Sequence, residues 1–284
     1  MSDKQVDEIS GTETTGHEWD GIRELNTPLP RWWLWTFYAT IVWSVGYVIV
    51  YPAWPTTSGA FGYSSRAELA QSVADARAAQ AQMLDRISSS GVSDIIKDEE
   101  MARFARGGGA SLFKVNCSQC HGAGAAGAEG FPNLNDDEWI WGGTPEDIYT
   151  TIAHGIRFED DLETRFNLMP AFSDGILSSE QIRDVAGYVA TLAGMEHDLA
   201  SSEAGAVLFA DYCAACHGEQ AEGNSELGGP ALNNAIWLYS KSPETIVTQI
   251  ANPRHGVMPG WRAKLGDSAI KQLAVYVHGL GGGQ

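Results

Sequence analysis

All four cysteines of this 284-residue chain fall in two copies of one short pattern, NCSQCHG at 116–122 and YCAACHG at 212–218. The copies are landmarks of a longer repeat. Leu112-Phe113 before the first matches Leu208-Phe209 before the second, and Phe131-Pro132-Asn133-Leu134 matches Gly229-Pro230-Ala231-Leu232. Pro145-Glu146-Asp147-Ile148 then matches Pro243-Glu244-Thr245-Ile246, and Met169-Pro170-Ala171-Phe172 matches Met258-Pro259-Gly260-Trp261. A chain written twice predicts two similar small domains in tandem, 101–196 and 201–284, rather than one large core. Each repeat closes on an amphipathic helix, with Ile182, Val185, Val189 and Leu192 at helical spacing in the first and Ile270, Leu273, Val277 and Leu280 in the second. Ser178 or Ser179 caps the one and Asp267 the other. Neither repeat shows a convincing alternating strand, so both read as small, mostly helical domains and the fold class as mainly α.

Four chemistries compete for Cys117, Cys120, Cys213 and Cys216. Disulfides do not require a histidine directly after each pair. A zinc site built from two such pairs has a shorter separation and forms one compact centre, whereas each pair here begins its own domain. A thioredoxin-type pair calls for a strand-helix-strand unit. C-x-x-C-H is the attachment pattern of covalent haem c: two thiols about one helical turn apart reach the two vinyl groups, and the adjoining imidazole meets the iron. Two such motifs predict two covalently bound haem c groups, with His121 and His217 as axial ligands. Domains this small bury limited apolar surface, and an embedded cofactor compensates. Gly107–Gly109, Gly122–Gly130 and Gly228–Gly229 suit loops wrapped closely around a flat ligand.

Iron held by one histidine has a sixth position open. Met169 and Met258 fit it best, each in a Met-Pro step at corresponding places in the repeat. Thioether ligation favours ferrous iron and defines an electron carrier. His154 and His255 are the rivals, but their positions do not align between the repeats; His17, His197 and His278 lack such context. Carbonyls near Pro132 and Pro230 are placed to accept the second ring proton of His121 and His217. Trp139, Trp141 and Trp237 either line the macrocycle or pack in the core.

Ahead of the repeats, Trp32–Tyr51 is twenty residues without a charge, enough for about 30 Å of helix and so for a bilayer core. Trp32, Trp33 and Trp35 at one end and Tyr51 and Trp54 at the other form interfacial belts. The preceding acid-rich thirty residues argue against a cleaved signal peptide. The plan is therefore 1–30 as a cytoplasmic segment, 31–54 as a single-pass anchor, and 55–100 as a partly helical linker, helical over Ala67–Ile87 and broken by Ser88–Ser93. Arg23 and Arg31 against Arg66 weakly favour a cytoplasmic N-terminus, and covalent haem attachment in bacteria puts the haem domains in the periplasm. With 36 Asp and Glu against 18 Lys and Arg the chain is acidic, which argues against nucleic acid as a partner.

The chain resembles the membrane-anchored dihaem cytochrome c subunit, the P subunit, of cbb3-type cytochrome c oxidases. The specific part is Asp20-Gly21-Ile22, then NTPLPRWWLW at 26–35, closing at Tyr51-Pro52-Ala53-Trp54-Pro55. The resemblance implies one transmembrane helix followed by two tandem class I cytochrome c domains in the bacterial inner membrane. It implies electrons taken from a donor cytochrome c and passed to a monohaem subunit. From there they reach a catalytic subunit that reduces oxygen and pumps protons, so this chain has no active site of its own. It also implies that Met169 serves the haem of Cys117, Cys120 and His121, and Met258 that of Cys213, Cys216 and His217. The repeat carries one irregularity, the acid-rich loop RFEDDLETRFN at 157–167, read as a solvated loop or a docking surface. A dihaem subunit of another respiratory or dehydrogenase complex, a dihaem peroxidase and a gas-sensing or assembly module are the competing functions.

Overall fold

The computed structural model describes residues 5–55, 58–196 and 203–282; Thr56 and Thr57 of the linker, His197 and the first two residues of the second repeat lie outside the described residues. It divides into two compact units, 1–79 and 80–284. The first holds a hairpin of β1 (Thr14–Trp19) and β2 (Ile22–Leu25), then α1 (Arg31–Val50) and the start of α2 (Ser65–Ser89). The hairpin lies ahead of the repeats, in the stretch read only as an N-terminal segment. Trp19 pairs with Ile22 across a two-residue turn, and Asp20 and Gly21 both take positive φ, 50° and 84°. An Asp-Gly step is suited to that turn, so the signal was present in the sequence. Helix α1 has no buried residue in its unit and is long and apolar enough to cross a membrane.

The second unit contains the end of α2, then α3 (Val92–Lys97), α4 (Glu99–Asn116), α5 (Ser118–His121), α6 (Pro145–His154), α7 (Ser179–Leu192), α8 (Glu203–Tyr212), α9 (Ala214–His217), α10 (Pro243–Ala251), α11 (Arg262–Leu265) and α12 (Asp267–His278). Local chemistry sets most of the helix starts. Asp98 caps α4 by accepting from Met101 N, and Thr144 and Ser242 cap α6 and α10, each followed by proline in the first turn. Ser178 and Gln181 form a reciprocal capping box on α7. Asp267 does not cap α12. Its N-cap is Gly266, and the Asp267 carboxylate instead accepts from the Tyr149 hydroxyl and pairs with Lys271 at 2.9 Å, tying α12 to α6.

The helices are exchanged between the repeats. Helix α12, from the second repeat, packs on α4 and α6 of the first, while α7, from the first, packs on α8 and α10 of the second. One core therefore gathers Phe113, Ile148 and Ile152 with Ile270, Leu273 and Val277; the other gathers Val185 and Val189 with Phe209, Ile246 and Ile250. The first core also reaches back into the stretch read as linker, where Ile87, Val92 and Ile95 are buried. The exchange is reciprocal down to single bonds. Trp261 N donates to Ile152 O at 3.0 Å, and Phe172 N donates to Ile250 O at 3.2 Å.

Gly107–Gly109 lie within α4, not in a loop around a ligand. Their use is helix packing: a Cβ on Gly109 would run into the Gln272 backbone and Tyr276 on α12, and one on Gly205 of α8 would meet the Asp184 backbone and Tyr188 on α7. Phe113 packs at a tilt against Tyr276, and Phe209 against Tyr188, with ring centroids 5.5 Å apart in both pairs. Gly109→Val is therefore expected to lose at least about 1–3 kcal/mol by overpacking this crossing, read as a lower denaturation midpoint of the purified chain. An unchanged midpoint would show that α4 and α12 do not meet there.

Candidate haem sites

Each cysteine motif is wound into a single turn. Cys120 N and His121 N both donate to Cys117 O, at 3.1 and 3.0 Å, and Cys216 N and His217 N do the same to Cys213 O, at 3.1 and 3.0 Å. Residues three and four apart share one helical face, so both thiols and the imidazole of each motif come from the same side. None of the four cysteines is in a disulfide. Burial pushes the Cys117 and Cys213 thiols up to about 11.

The histidines are already oriented. His121 Nδ1 lies 3.0 Å from Pro132 O, and His217 Nδ1 lies 2.9 Å from Pro230 O. A carbonyl can only accept, so each Nδ1 carries the proton and each Nε2 presents a lone pair. Burial lowers both imidazole pKa values, against the opposing pull of the proline carbonyls, which keeps the rings neutral as a metal ligand requires. The loops that bring those carbonyls in fold tightly on the motif turns. Gly127 N donates to His121 O and Gly223 N to His217 O, at 2.8 and 2.6 Å, and a Cβ on Gly229 would collide with the Cys216 carbonyl. Paired thiols with a fixed neutral imidazole match what covalent haem c needs in both motifs.

Trp139 Nε1 donates to Gly282 O and Trp237 Nε1 to Asn234 O. Trp141 is buried under the Arg165 guanidinium, 5.7 Å from the ring centroid. Arg165 Nη2 reaches Asp147 Oδ1 at 2.9 Å, yet its Nε is buried without a partner among the described residues, a donor suited to a carboxylate such as a propionate.

The methionines are where the structure departs from expectation. Met258 packs against the core that Cys117 borders, and Met169 against the core that contains Cys213. The resemblance implied the opposite pairing. The reason is the exchange of helices: the chain leaving α6 carries Met169 over to α10, where Phe172 and Ser173 hydrogen-bond Ile250 O and Ala251 O at 3.2 Å each. Met258 returns to α6, exchanging hydrogen bonds of 2.9 and 3.0 Å with Ile156. Of the rivals, His154 is buried and its Nδ1 faces Asp161 at 3.1 Å and Glu163 at 3.5 Å, while His255 sits on the Met258 loop with Nε2 buried and unpartnered among the described residues. The acid-rich loop is in part structural: Asp161 serves His154, and Arg157 and Arg165 at its two ends make the bonds that hold it. Sequence reasoning treated Arg157 and Arg165 only as loop charges; their roles come from contacts distant in sequence.

An apolar helix long enough to span a bilayer and two haem-attachment turns in exchanged helical repeats define a membrane-anchored dihaem c-type cytochrome. A family described as cytochrome c oxidase, cbb3-type, subunit III matches residues 105–189 and 200–277, and one described as the N-terminal domain of cytochrome oxidase-cbb3, FixP, matches residues 11–58. A cbb3-type cytochrome c oxidase subunit FixP of Sinorhizobium medicae is 54% identical over 99% of this chain and 98% of its own length. FixP of Rhizobium meliloti is 55% identical with the same coverage, and subunit CcoP of Cereibacter sphaeroides is 49% identical over 95% of each chain. The chain belongs to the FixP/CcoP family of cbb3-type oxidase subunits. The expected mainly α fold with two tandem cytochrome c regions, and haem c as cofactor, are borne out.

Proposed function

We propose that the chain is the electron-transfer subunit of a cbb3-type oxidase. It accepts electrons from a donor cytochrome c and hands them to the monohaem subunit, which serves the oxygen-reducing, proton-pumping catalytic subunit; this chain has no catalytic centre of its own. The observation that carries the reading is the repeated set of two thiols and a neutral imidazole fixed by a proline carbonyl, with a methionine packed against each core. Haem c, when bound, supplies a one-electron iron couple. The chain does the rest. Cys117 and Cys120, and Cys213 and Cys216, would tether the two groups, and His121 and His217, oriented through Pro132 and Pro230, would bind their irons. Met258 would complete the hold on the first group and Met169 that on the second, so each group would be held by residues of both repeats. A filled sixth position suits electron transfer and disfavours peroxidase chemistry, which needs an open one.

Helix α1 anchors the chain once in the inner membrane, with 1–30 cytoplasmic and the two haem-bearing repeats periplasmic. The arginine bias before the span and the compartment of covalent haem attachment support that orientation. Purification in mild detergent is expected to retain copper and b-type haem with the chain, and two covalent haems per chain by mass. Copurification with a quinoprotein dehydrogenase, or peroxide turnover by the isolated chain, would replace this reading with one of the competing functions.

A further inference from the structure

Between α6 and the acid-rich loop, three residues form the middle of a small ladder. Ile156 pairs with Met258 on one side, while Arg157 N donates to Arg165 O at 2.8 Å and Arg165 N donates to Gly155 O at 3.1 Å on the other. The segments leading to the two methionines thus lie on either side of Gly155–Arg157. Arg157 itself takes φ of 52°, a left-handed conformation that costs energy for a residue with a long side chain and calls for surrounding contacts to hold it.

Its side chain spans both segments. Nε donates to Gly256 O at 2.7 Å and Nη1 to Asn167 O at 3.2 Å. Gly256 lies two residues before Met258 and Asn167 two residues before Met169, so one guanidinium holds the same point on both methionine loops. It is half-buried and forms no ion pair among the described residues. A guanidinium stays charged under such conditions, and its rigid fork can bond two carbonyls at fixed separation, which an ammonium on a flexible stem does not reproduce.

Resting on the haem reading above, we infer that Arg157 is a positioning residue shared by both sixth ligands: it locks the Met169 and Met258 loops together and fixes one cation between them. A cation held at both ligand loops would disfavour the extra positive charge of ferric iron, so it would raise both potentials. Because one side chain serves both loops, disturbing either loop is felt at the other, a coupling that is reciprocal by linkage.

The test uses the full holo chain in detergent. Arg157→Gln is expected to shift both midpoint potentials downward in a redox titration and to let carbon monoxide bind both ferrous haems. Arg157→Lys is expected to restore the potentials in part while leaving carbon monoxide access. A change at only one haem, or a lowered melting temperature with both potentials unmoved, would overturn the inference. Should Arg157→Gln not accumulate, the coupling is read with Arg157 in place: Met258→Ala is expected to shift the potential of the haem that keeps its methionine, and no shift there would also overturn it. The unaltered chain separates the two levels of argument, because a parent without the far-red band of ferric His–Met haem sinks the ligand assignment itself.

Discussion

Replacing Met258 by alanine is expected to open the iron held by His121 and to leave the iron held by His217 six-coordinate. Half of the far-red His–Met absorbance is expected to vanish, one ferrous haem to bind carbon monoxide, and its potential to fall, since a thioether ligand favours ferrous iron. The assignment follows from packing. Met258 exchanges two backbone hydrogen bonds with Ile156, and its side chain lies against the core bordered by Cys117. Met169 is carried to the core built around Phe209 and Cys213, so Met169→Ala is expected to open the other iron. The measurement that separates crossed from uncrossed ligation removes one haem. In a chain with Cys117→Ser and Cys120→Ser, the remaining His–Met spectrum is expected to survive Met258→Ala and to be lost with Met169→Ala; the reverse would mean uncrossed ligation.

Electron entry from a basic cytochrome c is expected to slow by about 10- to 1000-fold between low and high salt. Residues 101–284 contain 22 Asp and Glu against 11 Lys and Arg, a net charge of -11, to which propionates would add. Raising ionic strength from about 0.01 M to about 1 M shortens the Debye length from about 30 Å to about 3 Å, which removes long-range attraction and leaves short contacts. Stopped-flow reduction of the holo chain across that range checks it. A rate that stays flat or rises with salt would show that the acidic surface does not steer the donor.

The site was legible to different depths. The C-x-x-C-H turns, the ring-proton acceptors at Pro132 and Pro230 and the long apolar helix are properties of a few neighbouring residues or of one continuous run, and the structure has them where the spacing put them. The hairpin at Asp20-Gly21 was equally local and was missed because its strands are short and exposed rather than alternating. Asp267 has a capping residue type, but it lies inside the helix and its carboxylate goes to Tyr149, Lys271 and Arg262, of which Tyr149 is far away in sequence. Gly107–Gly109 have a composition that suits a loop; only the close approach of α12 shows why α4 carries them. Arg157 had no signature, since both of its acceptors are backbone carbonyls.

The amino-acid order alone determined the cofactor and the number of attachment points, because each rests on covalent reach or side-chain type, and it singled out His121, His217, Met169 and Met258 as the candidate axial ligands. Which core each methionine packs against was decided only by tertiary packing. Gly109 and Phe113 of α4 meet Tyr276 of α12 as Gly205 and Phe209 of α8 meet Tyr188 of α7. Exchanging the closing helices conserves those contact types, and a pattern of residues that suits both arrangements equally well cannot choose between them.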